Sequence, residues 1–260
     1  MTETHLVLIP SYNTGAKLLT TVAAARRYWR PVWVVIDGST DGSGEALAAL
    51  TRHDDGVRII VRPRNGGKGA AVLDGLRAAS QAGFTHVLVM DADGQHPAPL
   101  IPEFMALSRR TPQAMILGQP VFDHSAPRLR VIGRRLSNLL ARLETLTDIG
   151  DSLFGFRVYP LGLLMSVMTS TTSMRRFDFD TEALVRLSWR GVPAITQPAP
   201  VRYFRAEEGG VSHFRYGRDN IVLAVMHLRL CGEESSRFLK KAAQKLFAML
   251  GHGRWRRQRP

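Results

Sequence analysis

The first half of the chain alternates short apolar runs with longer amphipathic segments. The apolar runs are HLVLIP, VWVVID, VRIIVRP and THVLVMDAD, and the segments between them are AKLLTTVAAARRYW, SGEALAALTRH and GKGAAVLDGLRAASQAG. Strands of about five residues that alternate with helices of about 10 to 15 residues are typical of a parallel sheet. The pattern therefore predicts an α/β fold with a doubly wound, mostly parallel sheet.

Each of these four apolar runs leads into a polar loop that contains glycine. The loops are PSYNTG, DGSTDGS, RPRNGGKG and DADGQHP. In open α/β sheets the ligand binds beyond the carboxyl ends of the strands. We therefore expect the four loops to line one crevice.

The pattern changes after Gln119. The segment PRLRVIGRRLSNLLARLETLTD places leucine and isoleucine at helical spacing with arginines among them, which predicts a basic amphipathic helix. Further helices are expected in LGLLMSVMTS and RRFDFDTEALVRLSWRG, and a short strand in VPAITQPAPVRYF. We expect one domain over 1–230, with a change of pattern between its halves 1–119 and 120–230, followed by a tail (231–260).

The tail is basic and contains no Asp or Glu from Ser235 onwards. Its Lys and Arg residues alternate with leucine and aromatic residues, a pattern typical of a helix on an anionic membrane surface. A solvated tail beyond a core helix fits the pattern equally well. We expect C-terminal basic amphipathic helices and a peripheral location at the cytoplasmic face of a membrane.

Composition narrows the classes of partner. The 260 residues carry a formal net charge of +13, which indicates an anionic partner. We find no DNA- or RNA-binding signature and expect no nucleic acid partner. The chain shows no signal-peptide pattern and no apolar stretch of roughly 18 residues, and its one cysteine, Cys231, fits a reducing compartment.

Two carboxylates, Asp91 and Asp93, follow the apolar run that ends in VLVM. Two carboxylates at the mouth of a sheet repel each other unless a cation neutralises them. A divalent cation with oxygen ligands would do so, and Gln95 could supply a third oxygen. An isolated Asp-x-Asp is more often a solvated turn, so its place at the end of a strand carries the argument.

The motifs VLIPSYNTG, VVIDGSTDGS, RNGGKGAAVLDGL and VMDADGQHP resemble, in order and spacing, family 2 glycosyltransferases of the GT-A fold. The DADGQHP motif is most similar to the dolichol- or polyprenyl-phosphate sugar transferases, and the resemblance extends over roughly residues 5 to 220. It implies transfer of a sugar from a nucleoside diphosphate sugar to a lipid-linked acceptor, with Mg or Mn.

The resemblance also implies that 1–119 is the nucleotide-sugar-binding half and 120–230 the acceptor-binding half, with a set of nucleotide-sugar contacts in the first. Pro10, Tyr12 and Asn13 would surround the nucleoside, Asp37 would meet the base or ribose, and Ala92 would lie in the site between Asp91 and Asp93. Many relatives have two aspartates where this chain has Ile36 and Asp37. The resemblance places Lys68 near the nucleotide. An ATPase phosphate loop is disfavoured because Lys68 is not followed by Ser or Thr.

Three further segments carry acceptor-side and loop residues. GDSLFGFRVYP resembles the acceptor segment of the family and implies roles for Asp151 and Arg157, to which we add Arg134 from the basic helix; Phe154 replaces a small residue. EEGGVSHFR resembles a mobile loop whose His213 and Arg215 would reach the phosphates. In FDFDTEALVR, helix capping competes with a general-base role, for which Asp180 is our candidate.

The sequence thus predicts a metal-dependent, inverting glycosyltransferase acting on a lipid-like acceptor. Polyprenyl phosphate and a hydroxyl-bearing lipid both stay open, and the absence of membrane spans together with Phe154 favours the second. A phosphate acceptor, already anionic, would need no general base. A non-catalytic, basic membrane- or nucleic-acid-binding module on the same fold is the alternative.

Overall fold

The computed structural model describes residues 4–122, 128–202, 204 and 216–254, with the backbone alone for 128–131, 216 and 238–254. The strands are β1 (His5–Ser11), β2 (Val32–Asp37), β3 (Val57–Arg62), β4 (His86–Val89), β5 (Met115–Phe122), β6 (Arg157–Pro160) and β7 (Ala194–Val201). The helices are α1 (Ala16–Tyr28), α2 (Ser43–Leu50), α3 (Lys68–Gln81), α4 (Ile101–Arg110), α5 (Arg128–Thr145), α6 (Leu161–Thr169), α7 (Asp178–Trp189) and α8 (Tyr216–Arg254).

The strands form one seven-stranded sheet in the order β3-β2-β1-β4-β6-β5-β7. Strands β3, β2, β1 and β4 are parallel neighbours, as are β5 and β7, whereas β6 runs antiparallel to β4 and β5. The predicted α/β class with a mostly parallel, doubly wound sheet is confirmed. The strand order reverses at β1, so a crevice is expected at the carboxyl ends of β1 and β4.

Two apolar cores cover the faces of the sheet. Alternate residues of β1 point to opposite faces, with Leu6 and Leu8 in one core and Val7 and Ile9 in the other. All of β1, β2 and β4 is buried. This burial explains why their sequences are continuous apolar runs rather than alternating patterns.

Two strands and one helix did not emerge from the sequence pattern. Helix α4 follows DADGQHP after a 3-10 turn at Ala98–Leu100, and β5 begins at Met115. Strand β6 is only four residues long and begins with a charged residue, Arg157, that is fully buried. A short run of this kind carries too little periodicity to predict a strand.

The second half of the chain packs three helices together. Helices α5, α7 and α8 contact one another, and α8 passes through position 231 without interruption. Every helix in the described part of the chain is too short or too polar to span a bilayer. The domain boundaries and the basic amphipathic character of the tail stay predictions.

Candidate active site

Hydrogen bonds join the loops after β1 and β2. The backbone N–H of Asn13 donates to Ser39 Oγ (3.0 Å), and Asn13 Oδ1 accepts from the Thr40 N–H (2.7 Å). Asn13 has a positive φ of 45°, a conformation that asparagine tolerates better than most residues. Asp41 also accepts the Gly15 N–H at 2.7 Å. Asn13 therefore holds the loops after β1 and β2 together.

The loops after β2 and β3 are joined through Asp37. Its buried carboxylate forms an ion pair with Arg62 and accepts the backbone N–H groups of Gly66 (3.0 Å) and Gly67 (2.7 Å). These contacts direct the carboxylate into the loop that precedes α3. The predicted contact of Asp37 with the base or ribose stays a prediction.

The glycines of RNGGKG allow close backbone packing. A Cβ on Gly67 would lie 2.5 Å from the carbonyl oxygen of Arg175, and one on Gly69 would collide with the carbonyl of Met174. The Ala70 N–H donates to the same Arg175 carbonyl at 3.0 Å. The loop thus binds the segment that leads into α7, and so links the two halves of the sheet.

Lys68 lies where the two halves meet. Its Nζ is 2.7 Å from Asp91 Oδ1 and 2.7 Å from Asp180 Oδ2. The side chains of Lys68 and Asp180 are only 10% and 8% exposed. A Cβ on Gly155 would approach Lys68 Nζ to 2.6 Å, so this position accepts glycine alone without rearrangement. We call Lys68, Asp91 and Asp180 the lysine-carboxylate cluster.

Burial and neighbouring charges perturb this cluster. Burial would lower the pKa of Lys68, but the carboxylates of Asp180 and Asp91 outweigh it and raise that pKa. Burial would raise the pKa of Asp91, but Lys68 and then His96 lower it below its usual range. For Asp180, burial together with the Asp91 charge outweighs Lys68, so its pKa is raised. The single positive charge of Lys68 therefore neutralises the two negative charges of Asp91 and Asp180 only in part.

Asp93 is the carboxylate best suited to a metal. Its pKa is raised to about 7, first by burial and then by the negative charge of Asp91. Asp93 Oδ1 accepts the backbone N–H of Gln95 at 3.0 Å. A divalent cation would relieve this repulsion, and hard cations prefer oxygen ligands.

The residues fit a metal only as part of a larger site. Within the described residues, no group of three or more His, Cys, Asp or Glu side chains could hold an ion. The Asp pair and the Gln95 amide would need further ligands, for which the phosphates of a nucleotide are suitable.

His96 is a site residue that the sequence analysis did not single out. Its Nδ1 accepts the Asp91 backbone N–H (2.9 Å), and its Nε2 lies 3.6 Å from Asp91 Oδ2. Burial lowers its pKa to about 4, so the ring is neutral near pH 7 and carries its proton on Nε2. His96 therefore orients Asp91. Its place in the DADGQHP motif is the sequence feature that could have identified it as a site residue.

Phe154 packs in the core beside this site. Its ring makes an edge contact with His96 at a centroid distance of 4.8 Å, and it is 3% exposed. A Cβ on Gly118 would lie 2.7 Å from the Phe154 ring. The larger residue in the acceptor motif is therefore accommodated by a glycine of β5, and its side chain points into the protein.

Two predicted acceptor-side residues, Arg134 and Asp151, are brought together. Arg134 Nη1 is 2.5 Å from Asp151 Oδ1, and Asn138 Nδ2 donates to Asp151 Oδ2 at 3.1 Å. Asp151 is 2% exposed. Sequence analysis missed Asn138, which lies one helical turn after Arg134 in α5.

Arg157 is fully buried and bonded within the protein. Its Nη1 donates to the hydroxyl of Tyr159 (3.1 Å) and to the backbone carbonyl of Asp180 (2.5 Å), and its Nη2 donates to the Asp151 carbonyl (3.0 Å). These contacts fix the acceptor segment against the first turn of α7. The predicted contact of Arg157 with an acceptor stays a prediction.

The three acids of FDFDTE have different environments. Asp178 accepts the backbone N–H groups of Met174 (3.0 Å) and Arg176 (2.8 Å), which lie before α7, so its carboxylate fixes the preceding segment instead of capping the first turn of the helix. Glu182 forms ion pairs with Arg186 and Arg229. Asp180 alone among the three pairs with Lys68.

Of the remaining predicted residues, three lie in the described loops and strands and two lie outside the described residues. Pro10 is buried at the end of β1, Tyr12 is half-buried in the following loop, and Ala92 is buried between the aspartates. The Ala92 carbonyl accepts from Thr21 Oγ1 at 3.1 Å. His213 and Arg215 lie outside the described residues.

Comparison with known proteins identifies the family. The model of the family described as glycosyl transferase family 2 matches residues 6–178. The chain belongs to glycosyl transferase family 2. This membership confirms the resemblance of its motifs and identifies the protein as a glycosyltransferase, which disfavours the non-catalytic alternative.

Curated relatives of this family 2 glycosyltransferase include lipid-phosphate enzymes. Polyprenol monophosphomannose synthase of Mycolicibacterium smegmatis is 28% identical over 199 residues, which are 74% of this chain and 73% of the relative. Undecaprenyl-phosphate mannosyltransferase of Micrococcus luteus is 26% identical over 204 residues, 74% and 81% of the two chains.

A solved structure confirms the GT-A fold. Glucosyl-3-phosphoglycerate synthase from Mycobacterium tuberculosis, crystallised with Mn²⁺, UDP-glucose and phosphoglyceric acid, superposes with a TM-score of 0.64 at 20% identity. The match covers 89% of this chain and 80% of that one. At this identity the likeness establishes the fold alone.

Proposed function

We propose that this glycosyltransferase transfers a sugar, with inversion, from a nucleoside diphosphate sugar to a polyprenyl phosphate at a membrane surface. The lysine-carboxylate cluster carries the proposal, because it leaves Asp180 bound to an ammonium instead of free to accept a proton. A phosphate acceptor is already a nucleophilic anion and needs no general base. The names of the two mannosyl-transferring relatives support the same acceptor class.

The donor would bind across the loops after β1, β2 and β4. Pro10, Tyr12, Asn13, Asp37 and Ala92 would surround the nucleoside, with Asn13 and Asp37 also fixing the loops themselves. The fixed loops reduce the entropy lost on binding because they are ordered in advance.

Asp93, Gln95 and Asp91 would hold Mg or Mn together with the diphosphate of the donor. When bound, the metal supplies positive charge that neutralises the departing nucleoside diphosphate. His96 orients Asp91 through its backbone N–H, and Lys68 holds the Asp91 carboxylate against α7. His213 and Arg215 are proposed to add charge at the leaving group.

The acceptor phosphate would be bound on the α5 side of the cluster. Arg134 supplies the cation there, and Asp151 with Asn138 sets its position. Arg157 acts as a positioning residue because its guanidinium is bonded to the backbone of both Asp151 and Asp180. We further propose a cytoplasmic, peripheral location and no nucleic acid partner.

A hydroxyl-bearing lipid is the second candidate acceptor, and the raised pKa of Asp180 favours it. A carboxylate with a raised pKa is a better general base near neutral pH. The argument from Phe154 for this acceptor no longer holds, because that side chain packs in the core against His96.

Asp180→Asn separates the two acceptors. With polyprenyl phosphate and a panel of UDP- and GDP-sugars, we expect the variant to keep transfer within about tenfold, because a lost general base costs about 10² to 10⁴-fold. Asp178→Asn, on the same helical turn but bonded only to backbone N–H groups among its recorded contacts, is the matched control.

A loss of 10²-fold or more on a polyprenol, with donor binding intact by calorimetry, would instead establish Asp180 as the base of a hydroxyl acceptor. Calorimetry of the donor panel with Mn²⁺ on Asp93→Ala tests the metal. Donor binding that ignores both Mn²⁺ and this substitution would contradict the proposed metal site.

A further inference from the structure

Helix α5 turns its apolar stripe outward. Ile132, Leu136, Leu139 and Leu143 follow one another at helical spacing and are between 54% and 61% exposed. The opposite side of the helix is buried through Ser137, Ala141 and Glu144. An amphipathic surface helix ordinarily buries its apolar stripe in the core, so α5 is inverted.

Helix α8 repeats the same inversion beside it. Ile221, Val225 and Leu228 are between 56% and 75% exposed, whereas Met226, His227 and Leu230 on the opposite side are buried. His227 Nδ1 lies 2.7 Å from Glu144 Oε1, which joins the inner sides of the two helices. Both helices also pack on α7.

The two stripes therefore lie on the outer surface of the helical layer, and we call them the α5–α8 face. Seven large apolar side chains on adjacent helices are more than the scattered exposed residues of an ordinary surface. Exposed apolar patches of this kind are typical of surfaces that bind another molecule.

The charges around this face indicate an anionic occupant. Arg135, Arg142 and Arg218 are exposed on the same two helices, and Arg142 reaches Asp148 at 3.1 Å. Helix α8 continues into the segment 235–260, whose sequence contains eight Lys and Arg residues and no acid. A second copy would bring the same arginines and a further +13 charge against this face, whereas anionic lipid would neutralise them.

We propose that the α5–α8 face docks on an anionic phospholipid bilayer, with its apolar stripes inserted at the boundary between headgroups and acyl chains. Arg134 and Asn138 contact Asp151 on the inner side of α5, so docking of the outer side would hold the acceptor side of the site one helix diameter, roughly 10 Å, from the lipid. This second step rests on the proposed function, namely that the acceptor carries a lipid chain. The docking itself is independent of catalysis.

The test is vesicle co-sedimentation of the full chain with Leu136→Glu/Leu228→Glu. Its matched control is Leu50→Glu/Val61→Glu, because Leu50 and Val61 are each 70% exposed and belong to α2 and β3, outside the α5–α8 face. Vesicles contain phosphatidylcholine alone or with roughly 30% phosphatidylglycerol, at physiological salt and at about 0.5 M NaCl, where surface charge is screened.

We expect the wild type and the control to bind the anionic vesicles, and the α5–α8 variant to bind at least about tenfold more weakly, since two inserted leucines are replaced by anions. Vesicle binding that persists at high salt should come from the apolar stripes, because salt screens the charges, and it should disappear in the α5–α8 variant. Equal binding by the variant and the control would overturn the proposal.

A measurement of oligomeric state tests the alternative occupant of this face, a second copy of the chain. A wild type that is dimeric by light scattering, does not bind vesicles and becomes monomeric in the variant would assign the face to a second copy and overturn lipid docking. Calorimetric binding of the sugar nucleotide is measured in parallel. If donor binding is unchanged while vesicle binding fails, docking through this face is wrong, whereas the proposed use of a sugar-nucleotide donor is unaffected.

Discussion

Replacing Lys68 with methionine would leave Asp180 without its ammonium partner. The substitution keeps an unbranched side chain of similar length and removes the charge that lies 2.7 Å from both Asp91 and Asp180. The structure predicts that this change destabilises the protein because the carboxylates stay buried while their compensation is gone.

The expected magnitude follows from burial. Removing one partner of a buried ion pair costs about 3–5 kcal/mol of unfolding free energy. The Asp180 side chain is 8% exposed, so the loss of its partner should cost a free energy within this range. The Asp91 side chain is 33% exposed, so solvent screens its charge and it adds little to the loss of stability. We expect a loss of about 3–5 kcal/mol at neutral pH, which is a large part of the stability of a typical domain.

The loss should depend on pH with a defined sign. The pKa of Asp180 is already raised in the folded protein, and removing Lys68 would raise it further. As pH falls through that folded pKa, the folded state takes up a proton before the unfolded state does, so the variant regains stability relative to the wild type. The deficit should therefore be smaller near pH 5.5 than near pH 7.5.

Urea unfolding followed by tryptophan fluorescence at both pH values measures this effect. Lys68→Met/Asp180→Asn should recover at least about 2 kcal/mol relative to the single variant, because the orphaned charge is gone. Lys17→Met is the control: its ammonium lies 3.6 Å from the centre of the Phe204 ring, and its loss should cost about 1 kcal/mol or less. A Lys68→Met deficit no larger than the control, or one that the second substitution does not relieve, would refute the reasoning.

Three further predictions follow from the same site. Because the pKa of Asp93 is about 7, protons should compete with Mn²⁺ below that pH and weaken Mn²⁺ binding by up to about tenfold per pH unit. The Asp93→Asn variant should bind Mn²⁺ weakly at every pH, as measured by calorimetry. Gly155→Ala places a Cβ 2.6 Å from Lys68 Nζ and should reduce sugar transfer by at least about tenfold in a radiolabelled-donor assay. Phe154→Ser should lower the unfolding free energy by about 3–5 kcal/mol in urea, since it leaves a cavity beside Gly118.

Each of these predictions has a contrary outcome. Mn²⁺ binding that does not change between pH 5.5 and 7.5 would show that Asp93 is not the titrating ligand. Gly162→Ala is the control for Gly155, because a Cβ at Gly162 meets no atom within 4 Å; equal transfer by both variants would contradict the packing argument. Full stability of Phe154→Ser would mean that the core closes around the smaller side chain.

The uncompensated charge of Asp93 also makes a prediction about the protein without metal. The folded pKa is raised above the unfolded value of 3.8, so the folded state binds the proton more tightly. Stability should decline as pH rises from about 4 through about 7, and Mn²⁺ should restore it at the upper end because the ion binds the folded state.

The sequence by itself determined the first half of the fold. Strands that are buried on both faces must be continuous apolar runs, which predicted β1, β2 and β4; β3 is partly exposed and was predicted from its apolar run between two helical segments. The helices α1 to α3 keep an apolar stripe and could also be predicted from local pattern. The loops that follow these strands must then meet at one edge, which placed Asp91 and Asp93 in the site. Strand β6 could not be predicted, because four residues that begin with Arg157 carry no period.

Only the tertiary structure decided which of several similar side chains faces which partner. Asp178, Asp180 and Glu182 lie within five residues of sequence, yet Asp180 alone meets Lys68, which is 112 positions away. The stripe of α5 has helical period whether it faces inward or outward, and the structure turns it outward. The local sequence pattern shows the hydrophobic period of a segment and the chemistry of its residues. Which distant side chain a residue contacts depends on how the helices and strands pack together.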